Sequence, residues 1–183
     1  RFDTATIDVV EIDAGLDSIA ERYFWYKPDD RLSLHHEDGR TFLNRATDQY
    51  DLIYLDAFSD RSIPFQLATL ESMQHVSRLL GDSGFAVINV IARWNSSTVE
   101  DEYINRFVAT VRSAMPNVAL ICPTSCITPS KYPQNLTIIA SNDLSAHLPL
   151  KPTDRVLPTA SAADSFIDDR APLELLVQQE LDN

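Results

Sequence analysis

Basic residues are scarce in this chain of 183 residues: fifteen Lys and Arg stand against twenty-seven Asp and Glu, a net charge of −12. That balance excludes a nucleic-acid footprint, which needs a basic face to neutralise phosphates. It suits a cationic small substrate drawn in by long-range steering, although solubility alone explains such a charge as well. Long apolar runs are missing too. No stretch approaches the roughly 18–20 residues that span a bilayer, so no membrane partner is expected. The start of the chain has no charged-then-apolar signal segment, and a cytoplasmic location is the expectation. Cysteine is nearly absent. Cys122 and Cys126 have no second Cys or His pair at zinc-ligand spacing, so two buried thiols are expected and no metal site. The sequons at Asn95 and Asn135 carry little weight without a secretion signal. No Met opens the chain, which begins at Arg1 and enters a strand almost at once; a fragment, a processed chain or the product of part of a gene is expected.

What is present reads as an α/β pattern in one domain, residues 1–183, with a sheet core over 1–142 and an irregular segment and C-terminal helix over 143–183. Residues 6–12 are β-branched and apolar enough for a buried strand. Asp13 is placed to cap the helix that follows, whose apolar face is Leu16, Ile19, Ala20, Tyr23 and Phe24. A short strand over 31–35, a turn at Glu37-Asp38-Gly39 and a helix over 40–45 come next. Residues 50–56 form a third strand. Pro64 suits the first turn of one helix carrying Leu67, Leu70, Met73, Val76 and Leu80, which Gly81-Asp82-Ser83-Gly84 stops. Residues 85–92 form a strand that is apolar except for Asn89. A helix over 98–114 has Val99, Tyr103, Phe107 and Val111 on one stripe. Residues 118–122 and 136–140 read as a hairpin-like pair that would give the sheet an antiparallel edge. A last helix over 172–181 would be capped by Asp168 or Asp169. Strand–helix alternation through residue 114 predicts a doubly wound, mostly parallel sheet.

Three strands end in acids. In open α/β sheets ligands sit outside the carboxyl ends of the strands, where one crevice would receive all three. Glu11 can accept hydrogen bonds from both hydroxyls of a ribose, or be a plain surface Glu. Asp38 can take a hydrogen bond from an exocyclic amine such as that of adenine, with Gly39 permitting close backbone approach; Asp-Gly is also a common turn. Asp56 ends the third strand and Asp60 lies in the loop after it. Two carboxylates there can bind a cation or take a proton from an amine. His35 and His36 are adjacent on a strand and face opposite sides, so they do not serve one site.

The stretches Val10-Glu11-Ile12-Asp13, Glu37-Asp38-Gly39-Arg40, Tyr50-Asp51-Leu52-Ile53-Tyr54-Leu55-Asp56-Ala57-Phe58 and Ile63-Pro64-Phe65-Gln66-Leu67-Ala68-Thr69 resemble, in order and spacing, the spermidine synthases and their bacterial relatives. These are aminopropyltransferases on the Rossmann-like fold of S-adenosylmethionine-dependent methyltransferases. The resemblance covers about residues 5–95, and residues 168–174 look like the closing motif of some relatives. It implies that Glu11 holds the ribose of decarboxylated S-adenosylmethionine, that Asp38 and Gly39 sit at its adenine, and that Asp56, with Asp60 beside it, binds the amine acceptor and takes its proton. The acceptor would be an amine such as putrescine, the pathway polyamine biosynthesis. No tightly bound cofactor is implied; decarboxylated S-adenosylmethionine, or S-adenosylmethionine itself, enters as co-substrate. A homo-oligomer is compatible with this.

Three departures accompany the resemblance. The family's first strand and Gly-rich loop are absent, as is its N-terminal β-hairpin domain, and Ser59 stands where a second Asp usually follows the catalytic one. Two further functions therefore stay open: an S-adenosyl-ligand-binding or non-catalytic module, and a methyltransferase. With the first strand absent, three arrangements are expected of the strand over 7–12: a gap in the sheet, direct pairing with 52–55, or completion by another chain.

Overall fold

The computed structural model describes residues 4–27, 29–59, 62–94, 102–122, 130–151, 154–157, 159 and 164–169. The chain folds as two compact units, Arg1–Ala46 and Thr47–Asn183.

The first unit is a strand–helix–strand–helix run: β1 (Ile7–Val10), α1 (Leu16–Tyr23), β2 (Leu32–His35) and α2 (Gly39–Arg45). β1 and β2 pair in parallel, Ile7 opposite Leu32 through Val10 opposite His35. A parallel pair requires a crossover connection, which α1 provides. Asp13 does not cap this helix. Its carboxylate accepts from Gly15 N at 2.8 Å, closing a turn ahead of the helix, and Gly15 itself occupies the N-cap position. An acid two residues before its donor makes an Asx-type turn instead of a cap. The apolar stripe of α1 is on the surface: Leu16, Ile19 and Tyr23 are all exposed, and no residue of the helix is buried. α2 begins with Asp38 as its true N-cap and buries Phe42 and Leu43.

The second unit carries β3 (Tyr50–Leu55), α3 (Phe65–Ala68), α4 (Leu70–Leu79), β4 (Leu80–Trp94), α5 (Glu102–Ala114), β5 (Asn117–Cys122), β6 (Ser130–Ser141) and β7 (Arg155–Val156). Its sheet runs β3-β4-β6-β5-β7. β3 and β4 are parallel, whereas β6 pairs antiparallel with both β4 and β5, and β7 antiparallel with β5. Antiparallel pairing therefore reaches further than one edge pair. The cause is the short connection between β5 and β6, too short for the dozen or so residues that a parallel crossover needs. Direct pairing of residues 7–12 with 52–55 is not formed: β1 and β3 belong to different sheets.

The alternation of β4 defines the core. Ala86, Ile88 and Val90 are fully buried, as are Met73, Val76 and Leu79 of α4 and Phe107, Val108 and Val111 of α5. Phe85, Val87, Asn89 and Ile91 point the other way and are half-buried. Ala119, Ile121 and Ile139 form a second apolar cluster, with Phe85 and Leu148 packed against it. Gly84 is buried at the start of this strand, and a Cβ there would lie 2.9 Å from the Tyr50 carbonyl oxygen. The register with β3 shifts at this point, and only glycine lets the backbones approach so closely.

The single helix expected after Pro64 is two helices. Thr69 interrupts it in an extended conformation (φ −84°, ψ 161°) and caps α4 through its hydroxyl, which accepts from Ser72 N. Residues 164–169 lie across the break. Leu70 N donates to the Phe166 carbonyl at 2.7 Å, the Thr69 hydroxyl to the Asp168 carboxylate at 2.6 Å, and Asp168 N to Glu71 at 3.0 Å. Phe166 is fully buried, stacks on Tyr103 with ring centroids 6.1 Å apart, and takes the Arg106 guanidinium over its face at 5.0 Å. Asp168 thus serves the start of α4; the helix expected over 172–181 lies outside the described residues. Cys122, fully buried at the end of β5, is disulfide-bonded and not a thiol. The sequence contains one other cysteine, Cys126, which lies outside the described residues.

Candidate functional site

In the first unit, the parallel pairing of β1 and β2 carries Glu11 and Asp38 out at the same end of the sheet. Glu11 continues the ladder, its N–H donating to the His35 carbonyl at 3.0 Å. Its carboxylate accepts from Asp13 N at 2.9 Å, which turns the side chain back over the strand end. Asp38 lies just beyond β2, and its Oδ1 accepts from Thr41 N at 3.0 Å. That bond ties the carboxylate to the N-terminus of α2, where the helix dipole favours negative charge. Gly39 is the first residue of α2, half-buried beside it. Asp38 therefore has a local structural function whatever it binds.

The surrounding charges are paired off. His35 Nε2 lies 3.2 Å from the Asp8 carboxylate, with its ring against Phe42 at 4.9 Å. His36 reaches the Asp17 carboxylate at 3.0 Å. The two histidines pair with different acids on different elements, as their opposite facing requires. Glu37 holds Arg45 in a bidentate pair; hydrogen bonds from that guanidinium, followed by its charge, keep the Glu37 carboxyl below the usual carboxylate range.

In the second unit, Asp56 follows the last residue of β3 and is exposed. Leu55 lies opposite Ile88 in the parallel register, so the next pair along is Asp56 and Asn89. The Asn89 amide Nδ2 donates to Asp56 Oδ1 at 2.9 Å. Sequence reasoning gave Asn89 no part in the site; its one signal was being the lone polar residue in an apolar strand. The loop after Asp56 is drawn together by Ser59 and Ser62, whose backbones exchange hydrogen bonds at 2.8 and 3.3 Å. Asp60 lies in this loop and outside the described residues. Among the described residues no group of three His, Cys, Asp or Glu side chains is arranged to hold a metal ion, and no helix is long and apolar enough to cross a membrane.

Chemically, the first unit offers two carboxylates at one strand end, suited to hydroxyl and amine donors. The second offers an exposed carboxylate with one oxygen already hydrogen-bonded. Comparison with known proteins places these residues in context. The family model described as the spermine/spermidine synthase domain matches residues 1–150, which include Glu11, Asp38 and Asp56. The polyamine aminopropyltransferase of Vibrio vulnificus is 29% identical over 172 aligned residues, covering 78% of this chain and 58% of that protein. Among solved structures, a probable spermidine synthase from Corynebacterium glutamicum superposes with a TM-score of 0.70 at 19% identity, covering 90% of this chain and 64% of that one. Human methyltransferase-like protein 13, solved in complex with SAH, gives 0.64 at 20% identity, covering 83% of this chain and 67% of that one. These two structures bear on the fold alone. The chain spans a little under two thirds of the Vibrio and Corynebacterium relatives.

Proposed function

The chain belongs to the spermine/spermidine synthase family, and from that premise we propose that it serves polyamine biosynthesis by transferring an aminopropyl group from decarboxylated S-adenosylmethionine to an amine acceptor such as putrescine. The observation that carries this reading is the exposed Asp56 carboxylate at the carboxyl end of β3, held at one oxygen by Asn89 and lying within the matched stretch. Residues 1–183 are read as one piece of a doubly wound methyltransferase-type domain.

In the proposed reaction the amine nitrogen attacks the propyl carbon attached to the sulfonium. A C–N bond forms, the C–S bond breaks, and methylthioadenosine leaves as a neutral thioether. The nitrogen sheds one proton. An alkylammonium with a pKa near that of Lys, about 10.4, needs about 4–5 kcal/mol to free its lone pair at pH 7. Asp56 answers this by holding the cation at the reacting carbon and accepting its proton as the C–N bond forms. Glu11 takes the ribose hydroxyls and Asp38 the adenine amino group, with Gly39 allowing close approach; Asp60 adds a second acid for the diamine. The acidic net charge of −12 favours encounter with a cationic acceptor.

Ser59, standing where a second acid is usual in the family, favours a second reading: an S-adenosyl-ligand-binding module, catalytic only as a methyltransferase or not at all. One experiment separates the two. Full-length protein is given putrescine with either decarboxylated S-adenosylmethionine or S-adenosylmethionine. Release of methylthioadenosine with the first alone supports aminopropyl transfer. Release of S-adenosylhomocysteine with the second, or no product with either, overturns it.

A further inference from the structure

We infer that Asn89 is a positioning residue for proton transfer, fixing the Asp56 carboxylate so that Oδ1 is occupied and Oδ2 faces the incoming amine. This deepens the aminopropyl-transfer reading and rests on it. β3 and β4 run parallel with Leu55 opposite Ile88, so Asp56 and Asn89 share the next rung of the ladder. Side chains on one rung point to the same face. Ile88 is fully buried on the core face, which puts Asn89 and Asp56 on the opposite one, where Asn89 is half-buried.

The chemistry of the pair is one-directional. A primary amide can donate through Nδ2, and an ionised carboxylate can only accept. The 2.9 Å bond from Nδ2 to Oδ1 therefore engages one carboxylate oxygen and restrains the rotation of the group. A carboxylate free to rotate would meet the amine in many orientations, and misplacement of a reacting group by about 1 Å costs on the order of 100-fold in rate. An acid at position 89 would do the opposite: two carboxylates on neighbouring strands would compete for one proton, and Asp56 would no longer be a free acceptor. Packing does not require an amide here, since every other residue over 85–92 is apolar. Thr137 of β6 lies directly opposite Asn89 on its other side and extends the same polar row.

The test is steady-state turnover of full-length Asn89→Ala, Asn89→Asp and Asn89→Gln beside wild type and Asp56→Asn, with decarboxylated S-adenosylmethionine and putrescine. Asn89→Asp is nearly isosteric and guards against loss of folding, checked by circular dichroism and thermal midpoint. The expected result is a 10- to 100-fold fall in kcat for Asn89→Ala and at least as large a fall for Asn89→Asp. KM for the sulfonium substrate should change less than about threefold, and Asn89→Gln, which keeps the amide, should recover part of the loss. Either of two results overturns the inference while leaving the reaction standing: Asn89→Ala and Asn89→Asp within about twofold of wild type while Asp56→Asn is disabled, or losses that follow the thermal midpoint with KM and kcat moving together. A wild-type protein without aminopropyl transfer, or a fully active Asp56→Asn, overturns the reading and the inference together.

Discussion

Replacing Phe166 with Ala tests how the second unit is held together. Phe166 is fully buried, stacked on Tyr103, covered by the Arg106 guanidinium, and its carbonyl and N–H are both used, by Leu70 N and the Thr110 hydroxyl. Truncating a buried Phe to Ala typically costs about 3–5 kcal/mol in lost transfer energy and cavity. Loss of the aromatic pair, about 0.5–1.5 kcal/mol, and of the cation–π contact, about 0.5–2 kcal/mol, falls within that range instead of adding to it. For a unit of this size each kcal/mol moves the thermal midpoint by about 2–4 °C, so a fall of roughly 6–20 °C is expected. Urea unfolding followed by tryptophan fluorescence, with hydrogen exchange at the start of α4, is the assay. Exchange should rise first at Leu70, whose N–H is bonded to the Phe166 carbonyl at 2.7 Å. A loss under about 1 kcal/mol with Leu70 still protected would refute the account of residues 164–169 as the clamp on the break between α3 and α4.

The remaining predictions are local. Gly84→Ala places a Cβ 2.9 Å from the Tyr50 carbonyl oxygen, and we expect a destabilisation of about 1–3 kcal/mol by chemical denaturation, since backbone must move to accept it. Asp38→Asn retains a good N-cap for α2 and should leave stability within a few tenths of a kcal/mol, while weakening the binding of an S-adenosyl ligand measured by calorimetry; Asp38→Ala should lose both, with about 0.5–2 kcal/mol of stability. Asp143 accepts from the Ser145 hydroxyl and then from its backbone N–H, and these bonds hold its carboxyl below the ordinary range. Its lowered value in the folded state means that its contribution is present above the unfolded value near about 3.9 and is lost as pH falls through the folded one. Asp143→Ala should therefore flatten the acid limb of a stability-against-pH curve below about pH 4 and change little of its slope at neutral pH.

Periodicity carried most of the fold. β3, α5 and β5 fall where their apolar spacing puts them, and so do the centres of β4 and β6, although both strands run longer than the 85–92 and 136–140 expected and β4 takes in Gly81 to Gly84. The break at Thr69 was not legible, because what stabilises it is Phe166 and Asp168, roughly a hundred positions away. A local pattern continuing from Leu67 to Leu80 cannot register that competition. The antiparallel pairing of β6 with β5 was legible as a hairpin, but the placement of β6 between β4 and β5 was not, because it depends on the tertiary order of the strands. Asp13 failed as a cap for a smaller reason: an acid two residues ahead of a helix satisfies the turn before it. Glu11, Asp38 and Asp56 stand out as candidates because acids at strand ends break an apolar pattern. Asn89 breaks it as well, but its meaning depends on the register of β4 against β3, which the sequence does not state.

Asp56 is proposed to accept the proton of the attacking amine. The most direct test of this role is a rapid-quench single turnover of the full-length protein and Asp56→Asn with saturating decarboxylated S-adenosylmethionine and putrescine, following methylthioadenosine and the aminopropylated amine together. Equal amounts of both products are expected from wild type, with a rate in the variant lower by about 100- to 10,000-fold, the range for loss of a general base, and the sulfonium substrate still bound. A variant that releases methylthioadenosine at the wild-type rate would contradict this role.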